Sequence, residues 1–195
     1  MPHIPSAPTA ELSILPFAEA MARSGQSGGY DAEKWLYVPD FYTEYRYLLG
    51  TRGEKPLVCI GINPSTAEPD RLDPTLQSVE RVAKNNGYAQ RATRPNDMER
   101  VCNEALHRAN MEAFDYILSL SEQPAVWAAW GNIIEQRAYL KDCLADMIAI
   151  GERHGAQWYT AGRRSVKGHP HHPLYLKATS PLDAFDIRAY CAECL

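Results

Sequence analysis

At 195 residues and 45% hydrophobic content the chain has material for one substantial core, and its length favours a single domain. A formal net charge of -4 excludes a strongly basic, non-specific nucleic-acid coat, although 20 Lys and Arg leave room for a local basic groove. No apolar run approaches membrane-spanning length, and the N-terminus MPHIPSAPTAELSILPF lacks the basic head and continuous apolar stretch of a secretory signal, so a cytoplasmic protein with no membrane partner is expected.

In chain order, residues 1–10 are Pro-rich, residues 11–23 suit a short helix and SGQSGG at 24–29 is a flexible link. A loose segment over 1–29 therefore precedes a domain over 30–195. The stretch WLYVPDFYTEYRYLL at 35–49 is aromatic and β-forming, broken by Pro39 and Asp40, and reads as a hairpin. Leu57, Val58, Cys59 and Ile60 form a short unbroken apolar run, the signature of a strand covered on both faces. Gly61 and Pro64 then turn the chain and leave Asn63, Ser65 and Thr66 at the strand's C-terminal end, where open parallel sheets bind ligands.

Asp73-Pro74-Thr75 starts a helix running toward Asn86 and Gly87, and residues 97–120 are long, charged and amphipathic. PAVWAAW at 124–130 reads as a second buried strand ending at Gly131 and Asn132, followed by a helix over 133–154 and a third strand over 156–160. Residues 181–192 suit a closing helix. Strands alternating with helices imply a mostly parallel sheet.

The cysteines are odd in number and scattered, as Cys59, Cys102, Cys143, Cys191 and Cys194, which fits reduced thiols better than a disulfide framework. Cys191 and Cys194 have CxxC spacing without a second pair, so free thiols on a terminal helix are expected. The imidazole-rich GHPHHPLYL at 168–176 invites a metal, yet His flanking Pro170 without further carboxylate or thiol ligands does not make a site. No metal or cofactor is expected.

Taken together, these segments resemble the uracil-DNA glycosylase superfamily, particularly its thymine/mismatch-specific branch, whose first motif GINPG is matched here by GINPS. AVWAAWGNIIEQ resembles the family's apolar strand and WG turn, and HPHHPLYLKATSPLDAF its HPSPLS-type loop and following helix. The nearest likeness is to a branch with an NPSTA loop, a DPT helix start, a QRAT segment, an AWG turn and a terminal HPLYL, all present here in order between Tyr45 and Phe185. The resemblance implies a three-layer α/β/α sandwich around a mostly parallel sheet of about four strands.

It also implies a DNA glycosylase, a hydrolase that flips a pyrimidine out of DNA and cleaves its N-glycosidic bond. Asn63 would hold the attacking water, the backbone around Gly61, Ile62, Pro64, Ser65 and Thr66 would contact the base, and one of His169, His171 or His172 would donate to its oxygen. Pairing the motifs through Pro173 and Leu174 places Pro170 at the family's catalytic histidine; pairing them through His169 requires one inserted residue. Trp130 could border the pocket or simply fill the core. Arg163, Arg164 and Lys167, with Arg91 and Arg94, are candidates to grip phosphates. Ser65 stands where strict uracil enzymes carry a large aromatic, so the pocket should admit a 5-substituted pyrimidine such as the modified bases of phage genomes.

The family's Asn-bearing strand after the first helix has no clear counterpart, since NNGYA runs almost directly into QRAT, and Asn85 or Asn86 is a weak substitute. That departure keeps two other readings open: a nucleic-acid-binding or sensor protein without catalysis, and an enzyme acting on free nucleosides or nucleotides.

Overall fold

The computed structural model of the chain describes residues 13–26, 28–41, 45–62, 66–85 and 101–195. Its centre is a four-stranded sheet in the order β3 (Leu57–Ile60), β4 (Ala125–Ala128), β5 (Gln157–Ala161), β6 (Leu182–Ala184). The first three are parallel, with Leu57 opposite Ala125 and Ala125 opposite Gln157; β6 runs antiparallel to β5. A separate antiparallel hairpin joins β1 (Trp35–Val38) to β2 (Leu48–Thr51), as the aromatic stretch leads one to expect.

Every residue of β3 and β4 is buried. Because side chains alternate along a strand, Leu57, Cys59, Ala125 and Trp127 face one way and Val58, Ile60, Val126 and Ala128 the other. The first face is covered by α2 (Pro74–Asn85) through Leu76, Val79, Val82 and Ala83, with Trp35 and Leu49 of the hairpin. The second carries α3 (Glu104–Ser119), α4 (Tyr139–Arg153) and α5 (Ile187–Cys194). On α3 the buried Ala109, Ala113, Phe114, Ile117 and Leu118 repeat at helical spacing, which is what a one-sided helix needs. Helices on both faces of a mostly parallel sheet make this an α/β fold.

Capping sets the helix starts. Asp73 Oδ1 accepts from Leu76 N–H at 2.9 Å with Pro74 behind it in the first turn, and Asn103 Oδ1 accepts from Leu106 N–H at 3.1 Å. Within the amphipathic stretch over 97–120, α3 accordingly begins at Glu104, after the Asn103 cap.

Three expectations change. The short helix expected within residues 11–23 is α1 (Phe17–Arg23), which begins only at Phe17 and buries Phe17 and Ala20 in the core. Leu15 holds it there, its N–H donating to the Tyr45 hydroxyl at 3.1 Å and its carbonyl accepting from the Tyr47 hydroxyl at 2.8 Å. After β4 the chain forms a 3-10 turn over Gly131–Glu135 before α4, in place of one helix from residue 133. Finally, residues 182–184 are a strand, not the first turn of a closing helix. The free edge of β5 needs hydrogen-bond partners, and Asp186 sets the helix start by accepting from Ala189 N–H at 2.9 Å.

Gly151, in the last turns of α4, lies against the ring of Trp158, where a Cβ would sit 2.8 Å from Cζ2. Gly→Ala within a helix ordinarily gains roughly 0.5–1 kcal/mol. Here overpacking of about 1–3 kcal/mol should outweigh that gain. Gly151→Ala should therefore lower the urea midpoint, and a raised midpoint would show that the Trp158 contact gives way freely.

Candidate functional site

Parallel pairing brings the ends of β3, β4 and β5 to one edge of the sheet. Ala129 N–H donates to the Ile60 carbonyl at 3.2 Å, so the chain leaves β3 at Gly61 alongside the point where Ala129 and Trp130 leave β4. Gly131 then turns at φ 62°, a conformation that L side chains resist. A Cβ there would lie 3.2 Å from His172 Cβ and 3.6 Å from its backbone nitrogen. The glycine of the WG turn thus lets the His loop come close. The 3-10 turn over Pro173–Tyr175 packs in turn on α2. The end of β3 at Gly61, the WG turn, the His loop and α2 meet where α/β sheets place ligands.

The three histidines of that loop have different surroundings. His169 is 2% exposed. Its loop is tied at both ends, Ser165 N–H donating to the His169 carbonyl at 2.8 Å and Ser165 Oγ to Asn132 Oδ1 at 2.6 Å, which fastens the loop to the 3-10 turn after β4. Trp130 Nε1–H, which can only donate, gives its proton to the Tyr190 hydroxyl at 3.0 Å. That hydroxyl lies 2.9 Å from His169 Nδ1 and donates to it. With Nδ1 accepting from that hydroxyl, the imidazole proton is carried on Nε2, on the side of Glu135.

His169 Nε2 lies 3.2 Å from Glu135 Oε1, without hydrogen-bond alignment. Lys167, and after it His169, hold the Glu135 carboxyl below its usual range, so it stays ionised beside the Nε2–H. Burial pushes the Tyr190 phenol up to about 12, which keeps its donated proton in place at neutral pH. The result is a directed series from Trp130 through Tyr190 and His169 toward Glu135.

His172 is also buried, at 6% exposure, but against Gly131. Its Nδ1 accepts from Leu174 N–H at a long 3.4 Å, capping the following turn and leaving Nε2 as the protonated nitrogen. His171 is half-buried between the two. Trp130 lies wholly in the core against Trp158, Phe185 and Tyr190, so it reaches the site through its N–H and not through an exposed ring face.

Gly61, Ile62 and Thr66 are half-buried, with Ile62 packed on the core. Asn63, Pro64, Ser65, Arg91 and Arg94 lie outside the described residues, as does Asn86. Arg163 is exposed, Arg164 pairs with Glu193 at 3.0 Å, and Lys167 pairs with Glu135. Exposed pairs of this kind contribute little and exchange readily for another anion. Among the described residues no group of three or more His, Cys, Asp or Glu is placed to hold a metal.

The structure adds polar groups on α2 that carry only the signature of a helix start in the sequence. Asp73 Oδ2 and Thr75 Oγ1 are buried with no hydrogen-bond partner among the described residues. Nearby, the Arg46 guanidinium donates to the Ala67 carbonyl and has Tyr37, Asp73 and Glu68 around it, while burial pushes its pKa down. The DPT spelling of the helix start was the available signal for Asp73 and Thr75; for Arg46 there was none.

Removing the Tyr190 hydroxyl tests the relay. Tyr190→Phe would leave buried Trp130 Nε1 and His169 Nδ1 without partners, at about 1–3 kcal/mol for each unsatisfied group. Urea unfolding should show that loss, and an unchanged midpoint would mean that the relay is not formed.

Comparison with known proteins gives one finding. No curated protein and no solved structure matches the chain. A family model described as "Protein of unknown function (DUF1643)" matches residues 46–174, from Arg46 through β3, the WG turn and the His loop to Leu174. That span exceeds half of the chain, and this protein therefore belongs to the DUF1643 family.

Proposed function

We propose that this protein is a DNA glycosylase-like hydrolase that releases a flipped pyrimidine, 5-modified or deaminated, and leaves an abasic site. The supporting observation is the meeting, at the C-terminal edge of the parallel strands, of the loop entered through Gly61, the Gly131 turn and the His172 loop. These carry, in the same order, the motifs that resemble the glycosylase superfamily.

Breaking the bond from C1′ to the base nitrogen leaves positive charge on the sugar and negative charge on the base. The site must therefore stabilise the departing base and offer water to the opposite sugar face. Asn63 orients that water through its side-chain carbonyl; an amide is a weak base, so orientation and electrostatics matter more than proton abstraction. His172 is assigned as the donor to the base oxygen, because its proton lies on Nε2 and its loop packs on the Gly131 turn at the strand ends. His169 positions the loop from within.

A different reading, hydrolysis of free nucleosides or nucleotides, draws on one observation: Arg164 and Lys167 already have carboxylate partners in a chain of net charge -4. The non-catalytic binding module draws on another, for no strand among the described residues flanks β3 on the side away from β4.

Duplexes differing only in the pyrimidine, whether uracil, thymine or a bulky 5-substituted base, should distinguish these readings when assayed for abasic sites. The parent protein should release the 5-substituted base, and His172→Ala should lose about 10²–10³-fold in rate with folding intact. No release from any duplex, with release from free nucleosides, would move the assignment to the small-molecule enzyme. Replacing Arg163, Arg164 and Lys167 by Gln should flatten the salt dependence of DNA binding by roughly one unit of slope per lost phosphate contact. An unchanged slope would remove these residues from the DNA interface.

A further inference from the structure

Away from that edge, two thiols face each other across the packed helices of the second sheet face. Cys102 lies just before the Asn103 cap of α3, Cys143 lies in the first turns of α4, and their Sγ atoms are 4.0 Å apart. Both are half-buried free thiols. Beyond them, His107 Nε2 and Asp146 Oδ2 meet at 2.7 Å and hold the same two helices side by side. Cys59, by contrast, is buried within β3.

We propose that Cys102 and Cys143 are a peroxide-responsive pair that closes reversibly into a disulfide between the start of α3 and α4. Closure requires the sulfurs to approach by about 2 Å, to the usual bond length near 2.0 Å. Side-chain rotation at two half-buried positions can supply much of that movement. The inference is independent of the glycosylase reading.

The environments of the two sulfurs assign their roles. Burial, followed by Cys102, Asp146 and Asp142, pushes the Cys143 thiol up. Cys102 stands immediately ahead of the N-terminus of α3, where the helix leaves backbone N–H groups unpaired, and is the sulfur assigned to attack the peroxide. Its thiolate takes one oxygen, the O–O bond breaks and hydroxide leaves, giving a sulfenic acid at Cys102. The Cys143 sulfur then attacks the Cys102 sulfur, the S–O bond breaks, and the Cys143 proton passes to the departing hydroxyl as water. In total two thiols are oxidised to one disulfide and hydrogen peroxide is reduced to two waters.

A disulfide of this kind in a protein otherwise built from reduced thiols is a transient, sensing bond, not a permanent staple. Its consequence is local. The bond would tie the chain just ahead of the Asn103 cap of α3 to the first turns of α4.

The full-length reduced protein, treated with hydrogen peroxide and mapped by mass spectrometry after alkylation, tests this directly. The expected product has lost two hydrogens in a single Cys102–Cys143 cross-link that dithiothreitol reverses. Its Tm should rise by about 5–10 °C, because the bond closes a long loop in the unfolded chain. With Cys143→Ser, dimedone should trap a sulfenic acid at Cys102; with Cys102→Ser, Cys143 should resist the same dose. The proposal is overturned if the cross-link joins other cysteines, if Cys102 proceeds to sulfinic acid with Cys143 present, or if the oxidised protein melts lower than the reduced one.

Discussion

The lateral hydrogen bonding of β4 between two parallel neighbours is the constraint from which the rest follows. A strand paired on both edges and covered on both faces has no room for a charged or hydrated side chain, so polar chemistry is driven to the strand ends. Parallel direction then decides which end. The residues following β3, β4 and β5 all emerge on the same side, and a site assembled from three distant parts of the sequence becomes a geometric necessity of the sheet.

Within that arrangement, a donor-only group deep in the core sets the protonation pattern at the rim. The Trp130 indole can only donate, so the Tyr190 oxygen accepts from it and keeps its own proton available for His169 Nδ1 at 2.9 Å. Side chains held this way are already ordered and lose little freedom when a ligand arrives. The ionised Glu135 beyond His169 has Lys167 as its own counter-ion, so the pair meets solvent while the imidazole does not.

How much of this was legible depended on whether the signal was local. LVCI and AVWA are short apolar runs bounded by turn residues, and Asp73 with Pro74 spells a helix start, so the two inner strands and α2 could be read directly. β6 could not: it is three residues long and mostly exposed, and it is a strand only because β5 has an open edge. The helical packing of Phe17 and Ala20 was hidden for a similar reason, since their partners on Tyr47 and Tyr116 lie far along the chain. At the site, the sequence could bring His169, His171 and His172 together but could not rank them. What separates them is a hydroxyl on Tyr190 and a carboxylate on Glu135, neither of which is marked by spacing. The same limit applies to Arg46, whose burial comes from the fold and from no motif.

The family match ends at Leu174, but the core does not. β6 and α5 follow, and α5 is fastened to α4 by Arg188 with Glu152 at 2.9 Å and by Lys141 donating to the Cys194 carbonyl at 2.5 Å. The portion common to the family thus shares its core and its sheet with the residues that follow it. Cut at its boundary, it would expose the backbone of β5 as a sticky edge and strand an indole N–H in a dry interior. The last twenty or so residues behave as a clasp on a scaffold that is otherwise complete, which makes the C-terminus a poor place for truncation or tagging by insertion.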